Sequence, residues 1–344
     1  MKIIFDLGHP AHVHYSHNCI NILLESGHNI LITARDKEMT KNLLEAYKHT
    51  YVITDKHRTG MLNKGFGLLI NDLKLLTVAK RFKPDIFVSF GSPYAAHVSR
   101  LLGVKHITFV DSEYVKINSL LTYPFSEVIC TPTSFRQNLG PRQKRFNGFL
   151  ELSYLHPKYF KPDPSVLSSL ELKKNEKLFI IRFISWAATH DLHQSGIPNC
   201  NKLELIEHLK HFGRVIISSE SYLPPELECY RSTIPPEKIH HLLAFADMYI
   251  GEGGTMATES AILGTPSILI NSLAQKMGNF IELENTYGLL HSFSSFDSAF
   301  EKIHSLQMMN NLRREWSARR EKLLLEKIDV TEWMVNSIET LYGQ

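Results

Sequence analysis

Short runs of apolar and β-branched residues recur along the chain, each closed by a polar or glycine-containing turn and followed by a stretch of helical period. In the first half these runs are Ile3 to Leu7, Asn29 to Thr33, Tyr51 to Thr54, Asp85 to Phe90, His106 to Val110 and Glu127 to Cys130. Residues that are apolar at successive positions mark strands buried on both faces, and strands alternating with helices predict a parallel, doubly wound sheet. Ile20, Ile22, Leu23 and Leu24, stopped by Ser26-Gly27-His28, predict a helix with a glycine C-cap, and Asn71 to Phe82 predicts another, ended before Lys83-Pro84-Asp85.

The pattern pauses where turn formers cluster, at Gly148-Phe149, His156-Pro157 and Lys161-Pro162-Asp163-Pro164. It restarts with Lys177 to Ile184, Arg214 to Ser218, Met248 to Ile250 and Ser267 to Asn271, separated by helical stretches such as Lys202 to Phe212 and Thr255 to Leu263. From Asn310 to Tyr342 the chain is charged, with leucines, isoleucines and a tryptophan at helical spacing, which predicts one or two terminal helices. The expected organisation is an N-terminal Rossmann-like domain over 1–150, a linker over 151–165, a second Rossmann-like domain over 166–325, and a helix over 326–344 placed to pack back on the first domain. No solenoid repeat and no low-complexity tract interrupts it.

Composition narrows the function classes. With 344 residues, 43% of them hydrophobic, the chain can fill a core in each of two domains. Lys plus Arg number 38 against 35 Asp plus Glu, a net charge of +3, so no strong field favours nucleic acid or a membrane. Cys19, Cys130, Cys200 and Cys229 form no CxxC pair, which suits buried, reduced thiols in a cytoplasmic chain. The apolar run at the start is too short for a signal peptide, and no run of 18 apolar residues could span a bilayer. The expected location is the cytoplasm, with peripheral contact at the inner membrane face left open by the leucines and lysines of 61–80, which read first as an ordinary amphipathic helix.

Candidate chemistry concentrates in Ala246-Asp247-Met248-Tyr249-Ile250-Gly251-Glu252-Gly253-Gly254-Thr255-Met256-Ala257-Thr258-Glu259, continuing to Gly264-Thr265-Pro266. A strand that ends in glycines lets a phosphate approach bare backbone, and a helix opening at Thr255 offers free N–H groups and its positive dipole end. Glu259, one turn inside that helix, is spaced to bridge the two hydroxyls of a ribose whose phosphates sit on the turn. The same residues also suit mere tight packing, with Glu259 answering the helix dipole. A second group follows the first strand: Gly8, His9, Pro10, His12, His14 and His17 read as a histidine-rich loop. Ligands of parallel sheets bind beyond the carboxyl ends of the strands, where an imidazole is suited to general-base work near neutral pH. The same histidines admit zinc, as does His190-Asp191-Leu192-His193, but no carboxylate or cysteine completes a site except Asp6 and Cys19. No metal is therefore expected.

The glycine segment is similar to the donor-nucleotide segment of GT-B glycosyltransferases, especially the peptidoglycan lipid-intermediate N-acetylglucosaminyltransferase, and nucleotide-sugar 2-epimerases share much of it. Gly8-His9-Pro10-Ala11-His12-Val13-His14, Thr33-Ala34-Arg35-Asp36, Lys83-Pro84-Asp85, Ser89-Phe90-Gly91-Ser92-Pro93 and Asp111-Ser112-Glu113 resemble a prokaryotic GT-B-like family catalogued as domain of unknown function three hundred and fifty-four. The resemblance implies an α/β, GT-B-like fold of two doubly wound parallel-sheet domains facing a cleft. It makes His12 the catalytic base, because His12-Val13 matches a Gly-His-Val step of the peptidoglycan enzyme. It assigns Arg182 and Ser185 to the donor diphosphate, beside Ser219, Gly253, Gly254, Thr255 and Glu259, and assigns Asn279 and Glu282 to the donor sugar. His9, His14, Ser92, Asp111 and Glu113 would shape the acceptor side.

The expected function is metal-independent transfer of a sugar from a nucleoside diphosphate, with UDP as first choice, to a sugar or lipid-linked hydroxyl acceptor in polysaccharide or glycolipid biosynthesis. The nucleotide-sugar is substrate, and no cofactor is expected. A nucleotide-sugar 2-epimerase or hydrolase on the same fold is the alternative, and a non-catalytic sugar-nucleotide binding protein is the alternative of another class. A dehydrogenase predicts GxGxxG after the first strand, which Gly8-His9-Pro10-Ala11-His12-Val13 lacks.

Overall fold

A computed structural model describes residues 1–56, 61–114, 116–173, 175–184, 197–219, 222–272 and 274–343. The chain folds into two units, one formed by Met1–Tyr159 with Ile328–Gln344 and the other by Phe160–Lys327.

Unit 1 holds a seven-stranded sheet of β1 (Lys2–Leu7), β2 (Asn29–Asp36), β3 (Tyr51–Lys56), β4 (Ile86–Ser89), β5 (Lys105–Phe109), β6 (Val128–Pro132) and β7 (Gln143–Phe146) in the order β3-β2-β1-β4-β5-β6-β7. Every pairing is parallel. Strands β1 and β4 are buried on both faces because helices cover each side. On one side Leu75 and Ala79, from the helix Met61–Phe82, close on Ile4, Phe87, Ala95 and Val98. The stretch 151–159, expected as part of a linker, belongs to this unit, since Leu152, Tyr154 and Leu155 are buried in it. The helix Val330–Gly343 completes the unit: Thr331 donates to Ser153 O (2.6 Å), Lys105 Nζ donates to Leu341 O (2.9 Å), and the Trp333 ring lies 5.0 Å from that of Phe146.

Unit 2 holds a five-stranded parallel sheet of β8 (Lys177–Phe183), β9 (Gly213–Ser219), β10 (Met248–Gly251), β11 (Ser267–Ile270) and β12 (Leu290–Phe293) in the order β12-β11-β10-β8-β9. The helix Leu312–Glu326 is anchored by Trp316, which is fully buried and donates from Nε1 to Leu289 O at 3.0 Å. Cys19 and Cys130 are buried as expected of free thiols, whereas Cys200 and Cys229 are exposed. Among the described residues no helix is long and apolar enough to cross a membrane.

Candidate functional site

In unit 2 the chain runs from β8 outward to β9, then returns to add β10 on the other side of β8. That reversal opens a crevice beyond the carboxyl ends of β8 and β10, where ligands of open α/β sheets bind. Arg182 of β8 stands in register with Gly251 of β10, so the expected diphosphate contact and the glycine turn are neighbours. The helix Gly254–Leu263 starts there. Its N-cap is Gly253, which offers no side chain to its first turn, and Thr255 is exposed on that turn. An anion can therefore meet the backbone N–H groups directly. The glycines have a packing duty as well: a Cβ on Gly254 would lie 2.5 Å from Phe280 Cζ, and one on Gly253 would lie 3.2 Å from Ile184 Cγ2.

Glu259 lies in the same helix and is 5% exposed, with Oε1 held 3.0 Å from His240 Nε2, itself buried. Glu252 is more tightly held. It is 1% exposed, and its carboxylate accepts from Ile184 N (2.9 Å) and Ile197 N (2.7 Å). Its backbone N donates to Arg182 O and its carbonyl accepts from Asn271 Nδ2. It thus ties the end of β8, the turn after β10 and Ile197 into one frame. Neither His240 nor Glu252 was singled out by sequence. Glu252 carries a readable signal, an acid between glycines at a strand end, while His240 carries none.

Arg182 Nη1 donates to Ser218 Oγ at 2.6 Å, and Ser219 is half-buried at the end of β9. Ser185, His190, Asp191, His193 and Glu220 lie outside the described residues. Asn279 is buried and its Oδ1 accepts from Phe280 N (2.9 Å), beside the glycine turn that Phe280 touches. Glu282 Oε1 meets Lys327 Nζ at 2.5 Å, and that lysine side chain is 3% exposed. The Oε2 of Glu282 is buried without a partner among the described residues, so the ion pair engages one oxygen of this carboxylate and leaves the other open.

Unit 1 reverses between β1 and β4, and its crevice is bounded by Gly8–His12 and Phe90–Ser92. The expected histidine-rich loop is a helix start, because Pro10 takes the first turn of the helix Pro10–Glu25 and His9 is its N-cap, accepting from Ala11 N through Nδ1 (3.2 Å). His14 and His17, three residues apart, share a helical face against Tyr47, while His12 lies against Phe90. His14 is buried, bonded through Nδ1 to Tyr47 Oη (2.7 Å) and stacked on Tyr154 (5.2 Å). His17 meets His49 at 2.9 Å. Among the described residues no three His, Cys, Asp or Glu side chains are grouped to hold a metal ion.

His12 remains at the crevice, half-buried with its ring 5.0 Å from Phe90. Burial first, then the neighbouring His9, Arg35 and Lys37, hold its pKa well below the usual histidine value. The ring is thus neutral near pH 7. Gly8 N donates to its Nδ1 at 3.2 Å, which selects the tautomer with the proton on Nε2. Arg35 lies close by, its guanidinium 5.1 Å from the Tyr94 ring and its Nε buried without a partner among the described residues.

Ser92 is a cap: it receives Ala95 N at 3.4 Å and donates to Asp6 Oδ2 at 2.5 Å. Thr33 donates to the other Asp6 oxygen at 2.7 Å, so this buried carboxylate joins β1, β2 and the end of β4. The Ser92 hydroxyl thus serves both the helix cap and this frame. Asp111 and Glu113 follow β5. Glu113 is buried with Oε1 accepting from Arg136 N (3.1 Å), while burial and then the charge of Glu113 push the Asp111 carboxyl up to about 6.

The chain belongs to the family described as protein of unknown function (DUF354), whose model matches residues 1–279. It is 25% identical over 281 residues to the uncharacterized protein MJ0665 of Methanocaldococcus jannaschii, a match spanning 78% of this chain and 81% of that protein. Among solved structures it is similar to the glycosyltransferase SsfS6 of Streptomyces sp. SF2575, with TM-score 0.60 and 14% identity over 98% of this chain and 99% of that chain. It is also similar to the UDP-GlcNAc 2-epimerase of Neisseria meningitidis bound to UDP-GlcNAc, with TM-score 0.66 and 14% identity over 100% of both chains. Likeness at such identity is likeness of fold, and the fold is GT-B-like, as the sequence predicts.

Proposed function

We propose that this DUF354 member is a metal-independent glycosyltransferase that moves a sugar from a nucleoside diphosphate sugar, UDP-linked as first choice, to a hydroxyl acceptor in polysaccharide or glycolipid assembly. The observation that carries the reading is the switch point of unit 2. An uncapped helix start, Gly253-Gly254-Thr255, lies beside Arg182, and Glu259 stands one turn further on with its carboxylate oriented by His240. Diphosphate on the helix start and ribose hydroxyls on Glu259 match that spacing. In the reaction the acceptor hydroxyl oxygen attacks the anomeric carbon, a base takes its proton, and the carbon–oxygen bond to the β-phosphate breaks. The leaving diphosphate gains charge, which Arg182 and the helix dipole would stabilise.

The base in this reading is His12, which is neutral near pH 7 as a base must be. Its free lone pair is on Nδ1, so an acceptor hydroxyl has to replace Gly8 N there. Asp111 competes for the role, because a carboxyl pushed up to about 6 is ionised at pH 7.5 yet more basic than an ordinary one. The same carboxylate supports a second reading, a nucleotide-sugar 2-epimerase or hydrolase, since acid–base work at the sugar ring needs such a group beside a second acid, Glu113.

The test is purified protein with UDP-GlcNAc and other nucleoside diphosphate sugars, followed by NMR with and without a mixture of sugar and polyprenyl-phosphate-linked acceptors. Acceptor-dependent release of the nucleoside diphosphate supports transfer. A 2-epimer or free sugar formed without acceptor moves the assignment to the second reading. Donor binding without turnover makes the protein a binding module, and a Glu259→Ala variant that binds donor as well as wild type removes the basis of all three.

A further inference from the structure

Unit 2 has a second concavity, at the opposite edge of its sheet from the glycine turn. It opens beneath the starts of β8 and β10, lined by Lys177, Asp247, Leu263, Thr265, Pro266 and, from the C-terminal helices, Gln307, Met309, Leu312, Arg313 and Arg320. Six residue steps along β8 separate the two edges, about 20 Å at the usual strand rise of about 3.3 Å per residue. The cavity volume is about 540 Å³, within the range of about 300–1,000 Å³ typical of small-molecule sites.

Its polar groups favour an anion. The helix Leu312–Glu326 begins at the cavity, and its N-cap, Asn311, supplies no side-chain hydrogen bond to the first turn. Gln307 is 7% exposed, its Oε1 bonded to His208 Nε2 at 2.7 Å, and its Nε2 has no partner among the described residues. A buried amide N–H without an acceptor is costly in a folded protein, and Gln307 is one of the residues that line the cavity. Three cations, Lys177, Arg313 and Arg320, line the space against one carboxylate, Asp247, which accepts from Leu178 N (2.8 Å) and lies 3.9 Å from Arg313 Nη2, itself donating to Phe245 O (2.9 Å), so two of the three cationic charges remain unbalanced. Arg320 donates from Nε to Ile262 O at 2.9 Å, and among the described residues no carboxylate lies within ion-pair distance of it. Leu263, Pro266, Met309 and Leu312 give the remaining wall an apolar character.

We propose that this cavity is a ligand site, separate from the glycine turn, for a small organic oxyanion: a phosphate or sulfonate group carried on an apolar body. The oxyanion would sit at the start of the helix Leu312–Glu326, accept from Gln307 Nε2 and meet Arg313 and Arg320, with the apolar body against Met309 and Leu312. The site does not depend on the glycosyltransferase reading, because none of its residues belongs to the proposed donor pocket.

The probe is 8-anilinonaphthalene-1-sulfonate, whose fluorescence rises on transfer to an apolar site, titrated into the full-length chain beside the uncharged N-phenyl-1-naphthylamine. Saturable binding of one sulfonate per chain, at least 10-fold tighter than the uncharged ring system, is expected. Arg313→Glu, at a side chain that is 67% exposed, should weaken the sulfonate at least 10-fold, and Gln307→Leu should weaken it several-fold at a temperature well below the variant's own unfolding transition. Glu259→Ala and added UDP should leave it unchanged. Equal affinity for charged and uncharged probes, displacement by UDP, or wild-type binding in Arg313→Glu would each overturn the assignment.

Discussion

Replacing Glu252 tests whether the switch point of unit 2 is built around one carboxylate. Its two oxygens receive Ile184 N at 2.9 Å and Ile197 N at 2.7 Å, and the side chain is almost wholly buried. Hydrogen bonds to an ionised acceptor contribute about 1.5–3 kcal/mol each, and a buried donor stripped of its acceptor costs about 1–3 kcal/mol. Glu252→Ala removes both bonds, leaves both donors and opens a cavity, for an expected loss of about 3–5 kcal/mol. Glu252→Gln keeps the volume and one acceptor but turns an NH2 group toward the second donor, so it should lose about 2–4 kcal/mol. Urea unfolding followed by circular dichroism reads the loss as a lower midpoint at unchanged slope. Native-state hydrogen exchange localises it, because the Ile184 and Ile197 amides should lose protection before the core of β10 does. A Glu252→Gln midpoint within 1 kcal/mol of wild type, with both amides as protected as before, would refute the reasoning.

The buried histidines predict acid sensitivity. His106 bonds to the Ser89 and Ser126 hydroxyls and burial lowers its pKa to about 3, while burial lowers His17 and His291 to about 4. Below pH 6.5 the unfolded chain takes up protons that the folded one refuses, so stability falls as pH drops from 6.5 toward 3, by about 3–5 kcal/mol for His106 alone. The midpoint-against-pH slope of His106→Gln should be shallower than that of wild type, and parallel slopes would contradict the assignment. Gly254→Ala places a methyl against Phe280 Cζ and should cost about 1–3 kcal/mol in thermal unfolding, with Phe280→Leu restoring part of it. If Gly254→Ala is as stable as wild type and only donor affinity falls, the glycine answers the ligand and not the packing.

The central strands were legible because they are apolar at successive positions: Ile3 to Phe5, Phe87 and Val88, and Leu178 to Ile181 can only be buried on both faces. The two missed strands are both sheet edges. Gln143–Phe146 reads Gln-Lys-Arg-Phe, and Leu290–Phe293 reads Leu-His-Ser-Phe, short segments in which one face meets solvent or polar neighbours and no apolar run forms. The helix Pro10–Glu25 begins well before the apolar residues Ile20 to Leu24 that announce it, because histidines mask the period of its first turns and only Pro10 signals the start. In the site, the glycine turn and Arg182 could be placed by sequence because strand ends follow from strand positions. Partners such as His240 for Glu259, Lys327 for Glu282 and Tyr47 for His14 could not, since each pair joins separate elements and no local spacing encodes it.

These partnerships divide the acids at the strand ends into two kinds. Asp6 receives two hydroxyls and Glu252 two backbone amides, so each is a buried carboxylate whose oxygens are already engaged and which braces a switch point from within. A carboxylate so held is poorly suited to accept a proton, because protonation would break the bonds that keep it buried. Asp111 has the opposite character: its surroundings disfavour the charged form and bring its pKa to about 6, next to the pH at which a base works. Asp6→Asn should therefore lower stability and leave the pH profile of any turnover in place, whereas Asp111→Asn should leave the fold intact and would remove the limb of that profile near pH 6 only where Asp111 takes the proton in place of His12. The reverse pattern would exchange the roles of the two acids, and an unchanged profile in Asp111→Asn would leave His12 as the proton acceptor.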